Sequence, residues 1–194
     1  MASGKPKEQA LELLALGLNK QQVFDQLRLE HPKQRPGKLA SLLRYMATRH
    51  AQERYRDLQR LLLACIVLSV VLRLWRSVGG SELHWEDAHR WFSLVPLASI
   101  GLAWGVYHWH GQHFGWVGWM NVLGAMSLLG GLGRLADGAP FTWSLGSDVL
   151  SAVIGGLALY LFIKVFPEHK TEKDPMTGEK RYVFPEGRAD MPMH

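Results

Sequence analysis

Cysteine is almost missing: Cys65 is the only one in 194 residues, which excludes an intramolecular disulfide and any zinc site built on several thiolates. The sequence also lacks H-E-x-x-H, G-x-S-x-G and P-loop signatures, and no two aspartates lie within apolar segments as a membrane aspartyl protease would require. No segment repeats another, which weakens a transporter reading based on paired halves. These absences argue against an enzyme and leave no cofactor to expect. Charge is scarce through the middle of the chain. From Leu61 to Phe166 only Arg73, Arg76, Arg90 and Arg134 precede Lys164, out of 22 Lys and Arg in all.

What fills that middle is apolar. A bilayer core of about 30 Å needs roughly 20 mostly apolar residues at 1.5 Å rise, and the block accommodates four such helices, at 61–79, 91–110, 116–135 and 144–166. Trp75, Trp91, Trp109, Trp116, Trp119 and Trp143 fall at or near the ends of these spans, where an indole keeps its ring in lipid and its N–H among headgroups. The mean hydropathy of −0.05 averages over polar ends and an apolar centre. The expected fold is therefore all-α: a polytopic membrane protein with four transmembrane helices and a small N-terminal cytoplasmic helical domain.

The basic residues set the topology. Twelve lie between Lys5 and Arg60 and six from Lys164 onward, so the positive-inside rule places both flanks, and both termini, in the cytoplasm of an inner (plasma) membrane. The run Leu11–Leu18 is interrupted by Glu12 and reads as amphipathic, not as a cleavable signal peptide. A net charge of +5 and a pI near 9.5 suit anionic lipid and topology as well as nucleic acid, so charge does not choose between them.

Three regions follow: 1–60, a helical domain leading into the first span; 61–166, the bundle; and 167–194, a polar tail. The first region reads as a helix from Pro6 to Leu16 with Leu11, Leu13 and Leu14 on its apolar face, stopped by Gly17. A second helix is capped by Asn19 with Gln22 in a capping box and buries Val23, Phe24 and Leu27. His31-Pro32 and Pro36-Gly37 end it, a third runs from Lys38 to Ala47, and Thr48 caps a fourth that enters the bilayer without a break. The layout around Gly17 is that of a helix-turn-helix, but Gln21, Gln22, Asp25, Gln26 and Arg28 form an ordinary mixed polar surface, so nucleic acid is not the expected partner. In the tail, Asp174-Pro175-Met176-Thr177-Gly178 suggests the turn of a small hairpin whose Tyr182 and Phe184 need the helical domain or a partner to pack on.

Within the bundle, Cys65, Ser69, Arg73 and Arg76 fall on one helical face, which should turn toward other helices. Alternating direction brings Arg73, Arg76, Arg134 and Asp148 to the non-cytoplasmic end, where an intramembrane charge network is expected because unpaired charge at that depth is costly. Gly101 with Gly105, and Ser147, Ser151 and Gly155, are small residues at i+4 spacing suited to close helix packing. His108, His110 and His113 share a tight turn. His110 and His113 are the only two placed to share a metal, yet no Cys, Asp or Glu stands near them, so no metal site is expected.

The segment Gly131-Leu132-Gly133-Arg134-Leu135-Ala136-Asp137-Gly138-Ala139-Pro140, with an acidic residue early in the next span, resembles the matching hairpin of small DoxX-like four-helix bacterial membrane proteins. That family usually carries Glu where Asp148 stands and lacks a counterpart of residues 1–60. The resemblance implies a four-span bundle and no catalytic residues. The function expected from all this is a non-enzymatic membrane subunit or scaffold that self-associates or joins a larger membrane complex, docking a cytoplasmic protein through 1–60 or 167–194. The alternatives are a channel or pore-forming effector of a bacterial immunity, anti-phage or toxin system, and a transporter subunit.

Overall fold

The computed structural model describes residues 5–79, 97–138, 140, 143–173 and 180–185. Helices dominate. The chain runs α1 (Pro6–Ala15), α2 (Lys20–Glu30), α3 (Pro36–Arg44), α4 (Arg49–Gly79), α5 (Leu97–Tyr107), α6 (Gly111–Ala136) and α7 (Trp143–Val165), then a hairpin of β1 (Lys170–Lys173) and β2 (Lys180–Val183). It divides into two compact units. One gathers Met1–Asp57, Trp109–Gln112 and Tyr160–His194; the other holds Leu58–His108 and His113–Leu159. The first boundary lies close to the expected residue 60, but the tail joins the head instead of standing apart, together with the end of α7 and the turn before α6.

In the head unit, local signals explain the helix ends. Pro6 stands in the first turn of α1, where its missing N–H is no loss, and Gly17 closes that helix with φ +90°, a backbone state that disfavours any side chain. Asn19 Oδ1 accepts from the Gln22 amide at 2.8 Å while Gln22 Oε1 accepts from the Asn19 amide at 3.1 Å, so the capping box forms as expected. Pro36 opens α3 where the sequence suggested that Pro36-Gly37 closes the preceding turn and the helix starts at Lys38. Proline's fixed φ suits N1, and α3 accordingly runs Pro36–Arg44. Ala10, Leu14, Val23, Phe24, Leu27, Leu39, Ala40, Leu43 and Met46 make the core. Leu11, expected on the buried face of α1, is half exposed, because the i, i+4 pair turned inward is Ala10 and Leu14.

The hairpin supplies the last piece of that core. Lys170 pairs with Val183 and Lys173 with Lys180 in an antiparallel register, and the turn segment Asp174 to Gly178 lies outside the described residues. Phe184 is buried beside Phe24, their ring centroids 5.8 Å apart, and its amide donates to Gln21 Oε1 at 3.0 Å. Tyr182 packs over Phe24 at 6.0 Å. The helical domain is thus the surface these two aromatics pack on. Arg44 and Glu168 pair at 2.7 Å on the same unit.

Thr48 Oγ1 accepts from the Ala51 amide at 3.4 Å at the start of α4. That helix then continues for 31 residues, roughly 46 Å, with no proline and no glycine before its last residue. The stretch Pro36–Trp75, which contains most of α4, and α7 are both long and apolar enough to cross a membrane; only 17% and 28% of their most apolar windows are buried. α6 is of similar length, but Gly111, Gly115, Gly118, Gly124, Gly130, Gly131 and Gly133 dilute its hydropathy. α5 has 11 residues within the described part, and the expected start of its span at Trp91, with the loop 80–90, lies outside the described residues. Two candidate spans, against the four drawn from sequence, are what length and composition of the described helices support.

Candidate functional site: polar cavities of the helix bundle

The bundle's outer walls are largely apolar, and several polar side chains line spaces between its helices. Leu68, Val71 and Trp75 on α4, Trp104 on α5, Trp116, Trp119, Leu123 and Leu129 on α6, and Trp143, Val149 and Val153 on α7 are all exposed. Among the spaces between the described helices are three whose walls carry polar side chains that the sequence had singled out.

The first, about 170 Å³, lies between α4 and α7 and is lined by Ser69, Leu72, Arg73, Trp75, Trp143, Ser147, Leu150 and Ser151. The second, about 250 Å³, is bounded by all four helices: Ile66, Ser69 and Arg73 from α4, Ser99 and Leu102 from α5, Val117, Met120 and Asn121 from α6, and Ile154 from α7. Ser69 and Arg73 belong to both, so the i, i+4 stripe on α4 does turn toward other helices. Ser69 Oγ donates to the Ile66 carbonyl at 2.9 Å, Ser147 Oγ to Ser144 at 2.8 Å, and Asn121 Nδ2 to Val117 at 2.9 Å. Each of these bonds commits one hydroxyl or amide proton within its own helix.

The third cavity, about 460 Å³, sits between α6 and α7 with Arg134 and Asp148 on its walls beside Ser127, Gly130 and Ser144. Arg134 and Asp148 thus share a space, but among the described residues no ion pair joins them, and Arg73 lines the other two cavities. Of the four charges drawn together from sequence, Arg73 lines the first two cavities and Arg134 and Asp148 the third. Arg76 lies on the last turns of α4, its side chain outside the described part.

Small residues bring α6 and α7 together. A Cβ on Gly155 would lie 3.0 Å from the Val122 amide nitrogen, and one on Gly118 would meet Leu159 at 2.6 Å. Gly155 therefore serves packing inside the chain, Ser151 is 9% exposed next to it, and Ser147 is exposed at the cavity mouth. Gly105 is covered by the His113 ring, whereas Gly101 faces open space, so the expected pair acts as one contact.

The histidine turn is compact. Trp109 adopts φ 56° between α5 and α6, His108 stacks on Trp104 with centroids 4.2 Å apart, and its Nδ1 lies 3.0 Å from the Trp104 carbonyl oxygen. No cluster of three or more His, Cys, Asp or Glu able to hold a metal occurs among the described residues. His110 and His113 are not brought together with a third ligand, since His113 packs on Gly105.

The chain matches no family model, and no curated protein or solved structure is significantly similar to it. Its function must be argued from its own geometry.

Two side chains that sequence reasoning passed over tie helix ends down. Gln59, buried, donates from Nε2 to the carbonyls of Val106 at 2.8 Å and Tyr107 at 3.0 Å, closing the C-terminus of α5. Lys20, 1% exposed, donates from Nζ to the Val165 carbonyl at 3.3 Å and lies 5.8 Å from the Phe166 ring, so a cation stands at the negative end of α7. The sequence signal for Gln59 was a polar residue just before the apolar run from Leu61, and Lys20, followed by Gln21 and Gln22, carried none.

Proposed function

We propose that this chain is a non-enzymatic, multi-pass inner-membrane subunit that crosses the bilayer four times and holds a folded cytoplasmic head for a protein partner. The observation that carries the reading is the inside-out character of the bundle. Large apolar side chains cover the outside of α4, α6 and α7 while Ser69 and Asn121, half-buried, line the space between the helices, the reverse of a water-soluble surface and far beyond the scattered apolar residues such a surface tolerates. The low burial of the two longest apolar helices favours lipid contact over a role as core helices.

The grouping of segments supports four crossings with both ends on one side. The turn Trp109–Gln112 and the end of α7 belong with the head, and the Gly111 amide donates to the Tyr45 carbonyl at 3.2 Å. Chain that leaves the head in α4 is therefore back beside it before α6 begins, and again after α7. The four-helix hairpin arrangement implied by the DoxX-like resemblance agrees with this path. A docking role is favoured by the head itself, an ordered three-helix body closed by the tail hairpin that leaves Leu16 and Leu29 exposed. The pore alternative has the polar cavities in its favour. Against it, Val106, Phe114 and Val117 are at most 1% exposed and fill the end of the bundle near the α5–α6 turn.

Two measurements test the proposal. In a Cys65→Ser background, a cysteine at Leu16 should be protected from a membrane-impermeant maleimide in intact cells, and one at Leu135 should be labelled. Labelling at position 16 from outside overturns the topology. Purification in mild detergent should yield an oligomer or a complex, and a monodisperse monomer with nothing bound would overturn the subunit role.

A further inference from the structure

We infer that the open groove between the C-terminal half of α6 and the first turns of α7 is the interface with a second copy of this chain. A two-fold axis through it sets Arg134 of each copy opposite Asp148 of the other. The groove, about 460 Å³, is lined on α6 by Met126, Ser127, Gly130 and Arg134 and on α7 by Leu145 and Asp148. Ser127, Gly130 and Arg134 follow at i+3 and i+4, which places them on one helical face.

Charge selects the occupant. Arg134 and Asp148 share the walls, yet neither makes an ion pair or a side-chain hydrogen bond among the described residues. A partner that answers both must bring one cation and one anion at the same spacing in reversed order. A second copy brings that, since a two-fold interface sets residue i against j and j against i. A partner carrying one sign only would leave the other charge unanswered, which is costly within a membrane.

The glycines support a helix from outside the chain. An added Cβ would meet a neighbour at 2.6 Å on Gly118, 2.7 Å on Gly131 and 3.0 Å on Gly155, whereas on Gly124, Gly130 and Gly133 it would meet nothing within 4 Å. The first three allow close approach inside the chain; the last three leave the same room on the side of α6 that the chain does not fill. Met126, Leu129, Leu132 and Leu135 on this half of α6 are exposed as well.

The inference rests on the subunit reading above and names its partner. Two charge reversals test it on the full chain, purified in mild detergent under separate tags. Arg134→Asp gives the groove two acids and Asp148→Arg gives it two bases, so each variant alone should dissociate to monomer, its dissociation constant raised about tenfold or more. Co-expressed, the two variants should pair with each other, because the unlike faces are complementary. An ion pair within one chain could not be restored by a second molecule, so co-purification of the two tags decides. If the reversals do not survive purification, Gly130→Leu carries the test: the position is open inside the chain, so the variant should insert and fold as the unaltered protein does but sediment as a monomer. A dimer that survives Gly130→Leu, or reversals that fail to pair with each other, would overturn the interface. So would an unaltered chain that binds another protein and never itself, an outcome that leaves the subunit reading standing. A monomer holding a zwitterionic lipid would assign the two charges to a headgroup and overturn the second copy.

Discussion

The head and the bundle both rely on leucine-bearing helices, yet they place leucine oppositely. In the head, Phe24, Leu27, Leu39 and Leu43 are inside and Lys33, Arg35 and Lys38 are outside. In the bundle, Leu123 and Leu129 are outside while Ser69 and Asn121, half-buried, line the space between the helices. Apolar burial from water drives the first arrangement. In the membrane placement proposed above it cannot drive the second, and close backbone approach at Gly118 and Gly155, with helix-end bonds from Gln59, takes its place. The same residue type thus carries different free-energy consequences in the two regions.

The sharpest way to test that contrast is to remove a core side chain from the head. Phe24→Ala deletes the ring that both Tyr182 and Phe184 pack on, and should destabilise the head by about 3–5 kcal/mol. Limited proteolysis at the tail, accelerated in the variant, reports it. If the tail stays protected, the hairpin is held by something other than this aromatic cluster.

A charge placed on each exterior comes next. Leu29 on α2 and Leu129 on α6 have comparable exposure, 82% and 74%. Leu29→Arg should be silent, within about 0.5 kcal/mol, as at an ordinary aqueous surface. Leu129→Arg should oppose membrane insertion by up to about 2.5–3.5 kcal/mol, less in proportion to its nearness to the interface. The fraction of each variant resisting carbonate extraction from membranes distinguishes the two, and equal behaviour would erase the difference between the regions.

The smallest expected effect is at the cap of α2. Asn19→Ala removes the acceptor for the Gln22 amide and should cost about 1 kcal/mol, seen as a modest fall in the unfolding temperature of the head with no change in membrane insertion.

The head was largely readable from sequence because its signals are local: Gly17, the Asn19/Gln22 box, the apolar spacing of Val23, Phe24 and Leu27, and the hairpin flanking Asp174-Pro175 each act within a few residues. The miss at Pro36 came from the same locality, since X-Pro-Gly serves equally as a turn and as the first turn of a helix. The bundle was readable as apolar helices. Its charged site was not, because the alternating direction of the helices places Arg73, Arg134 and Asp148 toward one end but does not say which helix pairs enclose which cavity. Asn121 and Gln59 went unnoticed because a single amide in an apolar context has no periodicity to announce it.

The bond from Lys20 to the Val165 carbonyl spans 145 residues of chain, and that from the Phe184 amide to Gln21 spans 163. During synthesis, α1 to α3 are made first, but the lysine has no carbonyl to meet and Phe24 stays partly uncovered until the end of α7 and the hairpin are made. At about 5–20 residues per second, that interval is roughly 10–30 s. Completion of the head is therefore tied to the arrival of the last long helix, and a chain whose α7 fails to reach its place keeps an open, protease-sensitive N-terminal domain that marks it as unfinished.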